Sequence, residues 1–193
     1  MKENITTGDK YKGIYRIPPA RWQDWDYGAN AAYFVTICTA SREQFFGEIN
    51  DGEMTLSEIG QIASECWTQI PAHFPFAILG TFVVMPNHVH GVIVIDKPDN
   101  CATPVETLHA TSLQCKSKKN EFMQSISHKS HSLSAILRSY KSAVTKRANM
   151  NGISFAWQTR FHDRVIRDYN ELSHIEQYID ANIFNWHDDE LYG

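Results

Sequence analysis

The chain has 193 residues, 42% of them apolar and 21% charged, which is enough for one ordinary core and excludes a disordered polymer. Its net charge of −4 excludes a uniformly basic polyanion binder, and no apolar run approaches bilayer-spanning length. The first ten residues lack an apolar leader core, so the expected location is cytoplasmic, with no membrane partner.

Residues 1–30 read as an arm held down by aromatics, with Pro18-Pro19 followed by Trp22, Trp25 and Tyr27. The remainder, 31–193, reads as a single domain. Ala32–Thr39 is rich in β-branched and aromatic residues and predicts a strand. Gln44–Glu48 and Glu53–Leu56 flank Asn50-Asp51-Gly52, a turn signal that predicts a short hairpin. Ser57 is a good N-cap for an amphipathic helix carrying Ile59, Ile62, Ala63, Cys66, Trp67 and Ile70 on one face, with Pro71 expected to end it. Ile78–Met85 and His88–Ile95 then read as a strand pair turning at Pro86-Asn87.

Residues 97–131 are polar, without a clear period, and read as a long surface insertion. Ser132 or Ser134 caps a second helix, with Leu133, Ile136, Leu137, Tyr140 and Val144 on its apolar face, and Asn151-Gly152 stops it. Phe155–Arg167 interleaves aromatic and basic residues. A third helix is expected from about Asn170, with Leu172, Ile175 and Ile179 as its stripe. Helices around an antiparallel sheet, an α+β fold, satisfy this order. The cysteines, at 38, 66, 101 and 115, form no C-x-x-C pair, so neither a zinc knuckle nor a redox motif is indicated. Cys38 and Cys66 read as small buried hydrophobes.

Chemistry concentrates at His88-Val89-His90. On a strand both rings point to the same face, because side chains alternate with period two. Neutral imidazole is a common metal ligand, and two rings without a partner would waste polar groups in a core. A chain with nine histidines can also contain such a pair by chance. Tyr178 and Asn182, four residues apart, share a face of the third helix. The phenol can act as a nucleophile, and the amide oxygen is a hard ligand suited to Mg²⁺ or Mn²⁺. The competing reading makes Tyr178 core packing and Asn182 a surface residue or a helix end.

Charge is unevenly spread. Residues 116–170 hold eleven Lys or Arg against three acids. Arg138, Lys141, Lys146 and Arg147 are therefore candidate contacts to nucleic-acid phosphates. Trp157 and Arg160, with Phe161, read either as base-stacking residues or as a packed connector.

Four segments in combination resemble the single-tyrosine HUH transposases, in particular their REP-associated branch: Tyr33–Ile37, Val84–His90, Trp157–Phe161 with Val165–Arg167, and Glu176–Asn182. The resemblance covers roughly residues 30–186. It implies a ferredoxin-like or RRM-like α+β fold with the His pair on a central strand. His88, His90 and Asn182 would hold the metal, and Tyr178 would attack single-stranded or hairpin DNA to form a covalent 5′-phosphotyrosine. It leaves open a monomer or a homodimer that exchanges the tyrosine helix. The chain departs from the family pattern at Arg164, where members often carry His, and at Asn182-Ile183, where they often carry Asn-Pro. Three alternatives stand beside this reading. They are a non-catalytic RRM-like nucleic-acid-binding module, a metal-dependent hydrolase in which water attacks, and a domesticated site-specific DNA nickase.

Overall fold

The computed structural model describes residues 25–98, 131–189, 191 and 192. Most of the expected arm, nearly all of the polar insertion, Cys101 and Cys115 lie outside the described residues. The strands are β1 (Ala31–Cys38), β2 (Gly47–Asn50), β3 (Glu53–Leu56), β4 (Ala77–Met85), β5 (His88–Ile95) and β6 (His162–Ile166). The helices are α1 (Glu58–Thr68), α2 (Ile70–His73), α3 (Leu133–Met150) and α4 (Tyr169–Ala181), with short 3₁₀ turns at Ala40–Arg42 and Trp186–Asp188.

The main sheet has the order β4-β5-β1-β6 and is antiparallel throughout. With the separate β2-β3 hairpin set aside, the chain runs strand, helix, strand pair, helix, strand. That succession and that strand order are the ferredoxin-like arrangement, and β5 with its two histidines is an interior strand.

Alternation along the strands divides the molecule into layers. Tyr33, Val35 and Ile37 of β1 and Val89, Ile93 and Ile95 of β5 face one way, into a core shared with Ile62, Trp67, Ile136, Leu137 and Tyr140 of α1 and α3. Phe34, Val92 and Val94 face the other way, against Leu172, Ile175 and Ile179 of α4. The period-two rule thus sends His88 and His90 to the α4 face. Gly91 lies between them and Val92 for a steric reason: a Cβ there would stand 2.3 Å from Cζ2 of Trp67.

Local chemistry sets the helix ends. Ser57 accepts from the Gly60 N–H at 3.2 Å, and Ser132 caps α3 by accepting from the Ala135 N–H. Asp168 accepts from the Glu171 N–H at 2.9 Å, while Glu171 reaches back to the Arg167 N–H. Asp51 and Gly52 both take positive φ in the β2-β3 turn, as its sequence predicts. Pro71 does not simply end a helix. α1 stops at Thr68, and Pro71 is the second residue of the one-turn α2, where its missing N–H costs nothing.

β6 is a strand within the aromatic and basic stretch Phe155–Arg167, to which the sequence assigned no element. It is five residues long, pairs with β1 alone and lies at the sheet edge, so it needs few apolar residues. Among the described residues, no helix is long and apolar enough to cross a membrane.

Candidate active site and metal centre

Cys38 pairs with His88 and Thr36 with His90 along the β1-β5 ladder, so both imidazoles rest on a rigid floor. Their ring centroids are 4.3 Å apart, and both rings are buried. Each Nδ1 has a hydrogen-bonding partner: Asn87 Oδ1 lies 2.7 Å from His88 Nδ1, and Thr36 Oγ1 lies 2.8 Å from His90 Nδ1. Phe34 stacks on His90 at 5.2 Å between centroids and meets Tyr178 edge-on at 6.1 Å.

Burial, with His90 and the Arg42 guanidinium adding to it, pushes His88 from 6.5 down to about 2. Burial also lowers His90 to about 4, partly offset by the Asp189 carboxylate and a hydrogen bond to the Val35 backbone. Both rings are therefore neutral near pH 7, the form in which imidazole binds metal.

α4 brings Tyr178 and its C-terminal cap, Asn182, to the same place. The Tyr178 hydroxyl is 3.4 Å from His90 Nε2 and 3.5 Å from Asp189 Oδ2. Asn182 is buried and donates through Nδ2 to Asp189 Oδ2 at 3.1 Å. The structure thus brings together all four residues expected from the sequence, His88, His90, Tyr178 and Asn182. Tyr178 reaches the histidines within its own chain. Phe34, Thr36, His90, Tyr178, Asn182 and Asp189 share the lining of an open cavity of about 580 Å³.

The donor set fits a divalent cation. Among the described residues, neither His88 Nε2 nor Asn182 Oδ1, both buried, has a hydrogen-bond partner, an expensive state for polar atoms unless something binds them. The ligand atoms of His88, His90 and Asp189 lie within 4.8 Å of one another, so this cluster could bind a metal.

Asp189 was not foreseen. It follows the Trp186–Asp188 turn, where buried Trp186 packs on His88 at 5.9 Å between centroids. Beyond it, the Leu191 carbonyl accepts from Asn87 Nδ2 at 2.7 Å. The one signal in the sequence is an aromatic anchor followed by acids, Trp186-His-Asp-Asp-Glu190, and nothing in its spacing selects Asp189.

The cations proposed for DNA lie elsewhere. Arg138, Lys141, Lys146 and Arg147 are on α3, which packs on the sheet face opposite the histidines. Arg147 is paired with Glu65 at 2.5 Å, and Lys141 donates to the Gln158 carbonyl and lies 5.8 Å above the Trp157 ring. Trp157 is half-buried among Phe46, Tyr140 and Phe155, with its indole N–H bound to the Lys141 carbonyl, so the packed connector describes it. Arg160 is exposed. Tyr140 is buried and donates to the Ala63 carbonyl, and Tyr169 opens α4, 80% exposed.

No protein-family model matches the chain. An uncharacterised protein of Haemophilus influenzae is 33% identical over 183 residues, which are 93% of this chain and 95% of that protein. The solved structure of a REP-associated tyrosine transposase bound to a REP hairpin matches with a TM-score of 0.52 at 16% identity, covering 81% of this chain and 68% of that one. The chain therefore belongs to one family with the Haemophilus influenzae protein, and its fold is that of a REP-associated tyrosine transposase.

Proposed function

We propose that the protein is a metal-dependent DNA strand-transfer enzyme in which Tyr178 is the nucleophile. The observation that carries this reading is the 3.4 Å approach of the Tyr178 hydroxyl to His90 Nε2, beside two buried, partnerless ligand atoms. His88, His90 and Asn182 would hold the cation, Mg²⁺ or Mn²⁺, with Asp189 alongside. When bound, the cation supplies Lewis-acid polarisation of a non-bridging phosphate oxygen.

The residues of the chain do the rest. The Tyr178 oxygen attacks phosphorus, the bond to the 3′-oxygen breaks, and a 5′-phosphotyrosine forms. Asp189 Oδ2, 3.5 Å away, takes the phenolic proton, and the departing 3′-oxygen takes one from solvent. Attack by another 3′-hydroxyl reverses the step and joins strands, so no outside energy source is needed. Phe34 holds His90 and Tyr178 in register by stacking on one and meeting the other edge-on.

Hairpin DNA is the proposed substrate, in keeping with the hairpin bound by the transposase that shares the fold. Arg138, Lys141, Lys146, Arg147 and Arg160 are proposed to touch its phosphates away from the reaction. A strand on α3 must pass round the sheet to reach Tyr178, which lies with α4 on the opposite face. Incubation with a labelled hairpin oligonucleotide and Mn²⁺ tests the reading. A protein–DNA adduct that survives SDS is expected. Cleavage without an adduct would favour attack by water, and salt-sensitive binding indifferent to EDTA would favour a binding module.

A further inference from the structure

We propose that Asn87 is a positioning residue that holds the His88 ring with its proton on Nδ1 and so leaves the Nε2 lone pair facing the cation site. The inference deepens the reading of His88 as a ligand, and its cation-binding half rests on that reading.

The argument starts from the amide. Asn87 occupies the β4-β5 turn and is 1% exposed. Its Nδ2 contacts two backbone carbonyls, Leu191 O at 2.7 Å and Arg42 O at 3.3 Å. Carbonyls only accept, so the amide nitrogen must point at them and the amide oxygen must point away. That oxygen lies 2.7 Å from His88 Nδ1 and can only accept there. The ring nitrogen must then be the donor. In a neutral imidazole the other nitrogen carries the lone pair, and that atom, Nε2, is the one buried without a partner.

Asn87 is itself held in place. Its main chain is pinned, for the Asn87 backbone carbonyl accepts from the Thr39 N–H at 2.9 Å and lies 3.0 Å from Thr39 Oγ1. Arg42 follows Ser41 in a turn where both residues take positive φ. Leu191 lies two residues beyond Asp189. One side chain therefore ties together the histidine strand, the turn after β1 and the segment that delivers Asp189. An amide is needed because both a donor and an acceptor are required. A carboxylate supplies only the acceptor, and alanine neither.

Nitrogen-15 spectra of histidine-labelled, metal-free protein at neutral pH test this directly, together with Mn²⁺ titration. Wild-type protein is expected to show His88 protonated at Nδ1. Asn87→Asp keeps the acceptor for His88 Nδ1 and loses the donor to the Leu191 and Arg42 carbonyls, so where it folds it should keep the Nδ1 proton. Asn87→Ala should lose it and weaken Mn²⁺ binding about tenfold or more, as other outer-shell ligand partners do. A wild-type ring protonated at Nε2, or an unchanged spectrum in Asn87→Ala, overturns the proposal. Should either variant fail to fold, the wild-type spectrum decides. Wild-type protein with the Nδ1 signature that binds no Mn²⁺ overturns the ligand reading of His88 and leaves the tautomer assignment standing.

Discussion

Tyr178 and His90 are 88 residues apart in the chain, yet the phenol oxygen of one lies 3.4 Å from a ring nitrogen of the other. The contact crosses from α4 to the floor of the sheet and depends on Leu172, Ile175 and Ile179 seating the helix on Phe34, Val92 and Val94. Tyr178 remains 46% exposed, so the hydroxyl is open to a substrate. Tyr178→Phe is expected to abolish the SDS-stable adduct with hairpin DNA while changing stability by less than about 0.5 kcal/mol. An adduct of unchanged yield in the variant would remove Tyr178 as nucleophile.

Asp189 joins Tyr178, Asn182 and the histidine pair through one carboxylate. Asp189→Asn keeps the shape but removes the charge. It should weaken Mn²⁺ binding by about tenfold or more, read by calorimetry, and slow adduct formation. It should also lower the His90 pKa further, since the carboxylate now raises it. Wild-type affinity in the variant would place Asp189 outside the metal set.

The buried histidines predict a direction of pH dependence. In the unfolded chain both bind protons as the pH falls through about 6.5. In the folded chain His90 resists down to about 4 and His88 to about 2. The unfolded state therefore gains protons first. The contribution of these rings to stability is complete above about pH 6.5 and is lost as the pH falls from there toward the folded values. The slope is at most about 1.4 kcal/mol per pH unit for each ring. Urea melts across this interval should show it, and His90→Gln should flatten the curve.

Gly91 predicts a steric cost within the histidine segment. A methyl group there meets the indole of Trp67 at 2.3 Å, and Trp67 is fully buried. Gly91→Ala should destabilise the fold by about 1–3 kcal/mol, read as a lowered melting temperature. A melting temperature equal to wild type would show that Trp67 can shift freely.

The cations on α3 are separable from the metal centre because the sheet lies between them. Arg138→Ala with Lys146→Ala should weaken DNA binding and shallow its salt dependence by roughly one unit of slope for each phosphate the variant no longer neutralises. Mn²⁺ affinity should not change. An unaltered salt slope would remove α3 from the DNA surface.

Much of this architecture was legible in the residue pattern. β-Branched and aromatic residues placed β1, two apolar runs about Pro86-Asn87 placed β4 and β5, and the spacing of apolar residues with Ser57 and Ser132 at the caps placed α1 and α3. The strand and helix periods put His88 beside His90 and Tyr178 one turn from Asn182, because those relations repeat within a single element. Only the tertiary structure decided which elements face each other. It sent the α3 cations to the far face of the sheet, paired an edge strand with too few apolar residues to announce itself, and delivered Asp189 from an irregular segment anchored by Trp186. These relations join residues distant in the chain. They are set by which apolar faces bury together and which amides find carbonyls, and no local period encodes them.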